Sequence, residues 1–282
     1  MSLTDVSAHS VPLQSDRSVF DFLKSYLKLT LQVACGLLLP VLFLGLWYVA
    51  TLKQWLPEQI LPAPSLVWQS TAELWQSGEL GFHFAVSAKR ILWSVLIGAS
   101  VGVLLGTVLG LAKRSRDYVF PTVNLIAQFP IVGWIPLLMI FLGIDEALKI
   151  AAISLAVLPP LLIATYKGIT QVPHSLMEVA DVYQYSNWQK LKNVILPAAL
   201  PSVISGLRQG IMQAWLALVF VELLASSEGI GYLMVWGRQL MQMDLIFMAI
   251  ILIGITGYVL DTVFAWLEKT ARFHATRVGV QL

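Results

Sequence analysis

Six stretches of this chain are each long and apolar enough to leave water altogether, and that feature decides the fold class. A helix rises about 1.5 Å per residue, so crossing a hydrocarbon layer of about 30 Å takes about 20 mostly apolar residues. The stretches are Leu31 to Thr51, Ile91 to Ala112, Tyr118 to Ile144, Leu148 to Tyr166, Ala199 to Ala225 and Leu245 to Leu267. In lipid each backbone polar group must be satisfied within its own segment, which leaves helices for runs like these. Only 12% of the 282 residues are charged, about half the fraction usual in soluble domains, and so few charges cannot cover a water-facing surface. The chain reads as an all-α polytopic membrane protein of about six transmembrane helices.

Lysine and arginine orient it. With the N-terminus inside, the inner set is Arg17, Lys24, Lys28, Lys113, Arg114, Arg116, Lys167, Lys190, Lys192, Lys269, Arg272 and Arg277. The outer set is Lys53, Lys89, Arg90, Lys149 and Arg238. The inner set is more than twice the outer, so both termini are expected in the cytoplasm. The start does not read as a cleavable signal: Asp5, Asp16 and Asp21 interrupt it, and no small-residue cleavage site follows the next apolar run. Residues 1–30 read as a cytoplasmic segment. Within it Phe20, Leu23 and Leu27 share a helical face flanked by Lys24 and Lys28, which predicts an interfacial helix on the inner leaflet. Residues 31–268 make the transmembrane domain and 269–282 a cytoplasmic tail.

Two loops stand out. The outer one, 52–83, holds Leu61-Pro-Ala-Pro64 and then Leu66, Trp68, Leu74 and Trp75, a short interfacial helix or a simple linker. The inner one, 167–199, is the most polar internal stretch. It has helical character, with Leu176, Val179, Tyr183 and Leu191 among polar residues, and is the expected docking surface.

Inside the spans, Gly98, Gly102, Gly106 and Gly110 recur every four residues. That spacing places them on one helix face and lets a neighbour approach closely, as a fixed seam or a sliding surface. Pro130, Pro136 and Pro159-Pro160 free backbone carbonyls, which are tolerated at membrane depth only beside protein or water; they predict kinks near a cavity. Polar residues are costly there. Asn124 and Gln128 share a face, as do Gln209 and Gln213. Together with Trp134, Trp215, Arg208 and Glu222 they line a hydrophilic path or bond between helices. The amides and indoles can donate to an anion. Arg208 lies toward the inner mouth, where it could attract anions, and Glu222 within about one turn of the outer end.

Several chemistries are disfavoured. There is no GxxxxGK[ST] phosphate loop, HExxH helix or GxSxG turn, so the chain should not hydrolyse ATP by itself. His9, His83, His174 and His274 are never paired at ligand spacing, and the single cysteine, Cys35, cannot build a disulfide or a CxxC site. A net charge of +2 implies no nucleic-acid partner.

Glu178-Val-Ala180 followed by Val194-Ile-Leu196-Pro197 resembles the cytoplasmic Glu-Ala-Ala signature of ABC importer permeases. The spacing agrees throughout, with Val179 for the middle alanine and Gln184 for the usual glycine. At Gln184 the turn is expected to take ordinary right-handed geometry or to carry a small strain. Leu61-Pro-Ala-Pro-Ser65, Pro136 to Asp145, Ile195 to Ser202 and Ser227 to Tyr232 are similar to the aliphatic sulfonate, taurine and nitrate branch. The resemblance implies a type I ABC importer permease fold in a bacterial inner membrane. It implies a second copy of this chain, two cytoplasmic ABC ATPase subunits that bind the ATP and Mg, and a periplasmic or extracellular substrate-binding protein. It assigns ATPase coupling to Leu176, Glu178, Val179, Ala180, Tyr183, Gln184, Leu196 and Pro197. The substrate implied is a small anion of alkanesulfonate type, with nitrate, taurine or another small organic anion as alternatives. The rival class is an ion-coupled secondary transporter.

Overall fold

A computed structural model describes residues 36–277, apart from the side chains of 113–116 and 271–277. The described residues form helices and turns, with no strand among them. The chain divides into two units, Met1–Pro64 and Ser65–Leu282.

The first unit contributes helix α1, Gly36–Leu52. The turn after it is fixed by Trp47, whose Nε1 donates to the Pro62 carbonyl at 3.0 Å. Residues 31–35 of the predicted first span, and the amphipathic segment within 1–30, lie outside the described residues.

The second unit starts at Ser65, within α2, Pro64–Gln76, which is followed by a turn at Gly78, whose φ of 82° suits a residue without a side chain. It continues through α3 (Glu79–Leu111), α4 (Lys113–Ala127), α5 (Ile131–Leu142) and α6 (Glu146–Thr170). A polar segment follows with α7 (His174–Val182), α8 (Asn187–Lys190) and a π-helical turn at Leu191–Ile195. Then come α9 (Leu196–Ala225), α10 (Ile230–Gln239) and α11 (Met243–Arg277). Among the described residues four helices are long and apolar enough to cross a membrane, or five if a bent pair counts as one span.

That bent pair is the third predicted span, Tyr118 to Ile144, broken at one of the prolines from which a kink was expected. It is two helices, α4 and α5, meeting at 96°. Pro130 lacks an N–H and disfavours helix at the residue before it. The end of α4 accordingly tightens, with Gln128 and Phe129 donating to the carbonyls three residues back. The helix that holds the second predicted span begins well before Ile91, at Glu79. Its first turns bury His83, Ser87 and Arg90, polar residues that hide a helix from a hydropathy reading. By contrast α6 runs unbroken through Pro159-Pro160, and α11 continues as helix into the segment predicted as the 269–282 tail.

The centre of this unit is α6, sandwiched between α3 and α9. The glycine stripe of α3 faces it. A Cβ on Gly98 would lie 2.6 Å from the Ser154 carbonyl oxygen, and one on Gly106 2.6 Å from that of Leu162. On the other side Gly206 of α9 meets Ala164, and Gly168 of α6 meets Ser202. Backbones this close gain dispersion contacts that lipid tails cannot supply. Ile153, Val157, Ala214, Ala217 and Leu218 complete the seam.

Candidate functional site

A cleft of about 750 Å³ opens between the α4–α5 bend, α6 and α9. Pro130, Pro159 and Pro160 border it, as the proline clustering predicted, whereas Pro136 does not. Its walls are mostly apolar, with polar groups from Gln128, Trp134, Gln209, Gln213 and Lys167, and no Asp or Glu among the lining residues. Phe129 and Trp134 meet edge to face across the bend, ring centroids 6.3 Å apart. Gln209 and Gln213 reach it together because a four-residue step returns to the same helix face.

The other sequence candidates lie elsewhere. Asn124, one turn before Gln128, does not border the cleft. Trp215 is buried in the core, its indole against Gly257 of α11. The Arg208 guanidinium is tied to α11, donating to Asp261 at 2.7 and 3.0 Å and to Glu268 at 3.0 Å. A guanidinium already matched by two carboxylates is a poor lure for anions.

Glu222 is fully buried and belongs to an ion cluster that the sequence did not reveal. One carboxylate oxygen accepts from Ser87 Oγ at 2.7 Å and from Arg90 Nη1 at 2.8 Å, the other from the Gly231 N–H at 2.9 Å. Arg90 turns its remaining edge to Glu146 at the start of α6, with contacts of 2.5 and 2.9 Å, and Lys149 adds a second cation to Glu146 at 2.7 Å. The chain from 228 to 231 is gripped residue by residue. Arg90 donates to the Glu228 carbonyl, the Gly229 N–H donates to His83 Nδ1, and the Ile230 N–H donates to Ser87 Oγ. A backbone N–H can only donate, so His83 Nδ1 is the unprotonated ring nitrogen. Gly229 has φ 111°, and a Cβ there would sit 2.2 Å from a Glu222 oxygen; no other residue fits. The available signal was the spacing of His83, Ser87, Arg90 and Ser94, which face one side of a helix.

The polar segment after α6 is a helical hairpin. The helical character expected within 167–199 is realised first in α7, His174–Val182. Its end is a Schellman turn: the Gln184 N–H donates to the Asp181 carbonyl at 2.9 Å and the Tyr185 N–H to that of Ala180 at 3.0 Å. This turn needs a left-handed residue. Gln184 supplies it at φ 54°, so of the two geometries open from the sequence the strained one is found. Lys190 pairs with Asp181 across the turn. Ser186 and Gln189 form a reciprocal capping box that starts α8. The π-helical turn precedes Pro197, which cannot donate to the carbonyl four residues back. Ala180 is buried, Leu176 half-buried, and Leu196 and Pro197 exposed. Val179, Val182, Tyr183 and Trp188 are exposed, an apolar patch on an otherwise polar segment. Glu178 is exposed, with its carboxylate 3.0 Å from His174 Nδ1.

Known proteins are similar to this chain. The chain is 36% identical over 234 residues to "Putative aliphatic sulfonates transport permease protein SsuC" of Bacillus subtilis (strain 168), covering 83% of this chain and 85% of that one. It is 36% identical over 231 residues to the protein of the same name from Escherichia coli (strain K12), covering 82% and 88%. Among solved structures, an inward-facing MetNI methionine ABC transporter aligns with a TM-score of 0.57 at 15% identity, over 74% of this chain and 99% of that one, a likeness of fold. The family described as "Binding-protein-dependent transport system inner membrane component" matches residues 84–273. The chain is a multi-pass membrane protein that belongs to this family of ABC transporter permeases.

Proposed function

We propose that this chain forms the translocation path of an ATP-driven importer for a small anion of alkanesulfonate type. The observation that carries the reading is the double duty of α6. One face of it, from Leu155 to Lys167, walls the cleft, and it leads within a few residues into α7. A push on α7 therefore has a short, stiff route to the cleft wall.

The cleft chemistry supports an anion. Gln128, Trp134, Gln209 and Gln213 offer N–H donors that a sulfonate accepts, and no carboxylate opposes it. Leu155, Ala156 and Ile163 suit a short alkyl chain. Nitrate and taurine would use the same donors. The aliphatic sulfonates in the relatives' names favour the alkylated substrate. A carboxylate-free lining also offers little to a proton-coupled carrier, whose relay groups are acidic or imidazole side chains.

ATP and Mg would be bound by two copies of a separate cytoplasmic ATPase, a binding protein would deliver substrate from outside, and two copies of this chain would enclose the path in a bacterial inner membrane with both termini cytoplasmic. The exposed Val179, Val182, Tyr183 and Trp188 give the apolar anchors that a helix seated in a partner's groove requires, and Glu178 adds a charge at the rim. Leu176, Ala180, Gln184, Leu196 and Pro197 hold that hairpin in shape.

In the complete complex reconstituted in vesicles, Glu178→Arg should lower ATP-driven uptake by about tenfold or more, the scale of losing an interface anchor. Binding-protein stimulation of the ATPase should fall with it. Val182→Glu, on the exposed patch, should act in the same direction. Unchanged uptake in both variants removes the hairpin from the mechanism. Gln209→Leu combined with Gln213→Leu should lower uptake while the ATPase still copurifies; wild-type uptake in that variant removes the cleft from the path.

A further inference from the structure

Among the residues that line the cleft, Lys167 is the one that carries a charge. It lies in the last turn of α6 and is exposed. It makes no side-chain hydrogen bond or ion pair with a described residue. Arg90, Lys149 and Arg208, cations of the packed helices, behave differently. Arg90 and Lys149 are bound to Glu146, Arg90 also to Glu222, and Arg208 to Asp261 and Glu268.

The strip of α6 that faces the cleft is otherwise apolar, running through Ala156, Pro160 and Ile163 to Lys167 at steps that keep to one side of a helix. Twelve residues separate the cleft's limits on α6, Leu155 and Lys167, or about 18 Å of helix. The cation therefore stands at one end of the cleft, the end that continues into α7. A charge beside low-dielectric walls is felt over more of the path than one in open water.

We propose that Lys167 gives the cleft its preference for anions: an unpaired ammonium at the hairpin end that draws an oxyanion along the amide donors and is weak enough, as a single charge, to release it. The proposal rests on the cleft being the translocation path. It replaces Arg208 in the role the sequence suggested, because Arg208 is already neutralised. A lysine in this position could instead serve an anionic lipid headgroup or the carbonyls that end α6, and the test separates these.

The complete complex is reconstituted in phosphatidylcholine vesicles and assayed for ethanesulfonate uptake. Lys167→Gln should lower uptake by about tenfold at low ionic strength, within the range by which a charged cleft raises the local concentration of its ligand. The deficit should shrink at about 0.5 M salt, where the Debye length falls to a few ångströms. Lys167→Arg should restore most of the rate and Lys167→Glu should fall below Lys167→Gln, with ATPase copurification as the fold control. Wild-type uptake in Lys167→Gln overturns the proposal, as does a deficit that is independent of salt or one that Arg fails to rescue. A deficit confined to vesicles with added anionic phospholipid assigns the residue to lipid and equally overturns it. If the double glutamine variant also transports normally, the cleft itself is misassigned; if that variant fails while Lys167→Gln does not, only the role of Lys167 is lost.

Discussion

Arg90 shows what a single side chain has to satisfy when it is buried beside lipid. Its guanidinium meets Glu222, Glu146 and the Glu228 carbonyl at once, the planar donor fork that lysine cannot reproduce. Arg90→Ala leaves Glu222 charged and enclosed, which should lower stability by about 3–5 kcal/mol. Thermal unfolding in detergent would read this as a large drop in midpoint, and an unshifted midpoint would mean that the cluster is not closed. At Gln184 the strain is milder. A non-glycine residue in left-handed geometry loses about 1–2 kcal/mol, part of which glycine returns through its freer unfolded chain. Gln184→Gly should therefore stabilise the hairpin by up to about 1 kcal/mol and slow amide exchange at Gln184 and Tyr185, whereas Gln184→Val should speed it. Faster exchange in the glycine variant would contradict the turn described.

At the scale of elements, the α3–α6 seam depends on the absence of side chains. Gly106→Leu would drive carbon into the Leu162 carbonyl and Thr165. Overpacking of this kind costs about 1–3 kcal/mol, and the same unfolding assay should record it, while Gly254→Leu, with open space at that position, should have little effect. A neutral Gly106→Leu would show the seam to be loose. This seam was legible in the sequence because four-residue spacing of glycine has one geometric meaning. The apolar spans were legible for a similar reason: lipid leaves few alternatives to helix. The 96° bend was not, since Pro130 announces a break while its angle is set by what α4 and α5 pack against, such as Phe120 on Tyr166. The Arg90 cluster was hidden because its partners lie 56 and 132 residues away. Taken alone, Glu222 looked like a path residue, His83 like the end of the outer loop and Arg90 like an outer topology marker. The cleft was half legible: Gln128, Trp134, Gln209 and Gln213 come together as donors, but Lys167 was counted only as a topology marker.

For the whole molecule, α6 is the common member. It packs on α3 and α9, walls the cleft, meets the Arg90 cluster through Glu146 and ends at the hairpin. A perturbation at either end of α6 is therefore transmitted through a close-packed helix, which resists compression. The length of α3 has a further consequence. Its 33 residues extend about 50 Å, while hydrocarbon accounts for about 30 Å. Counting about 20 residues back from Leu111 arrives beside Arg90, so the charges stand near the level where acyl tails give way to headgroups. Bilayer thickness is thereby measured against a fixed polar mark. Longer-chain lipids would have to thin around the protein, or the helices tilt, to keep those charges at the boundary.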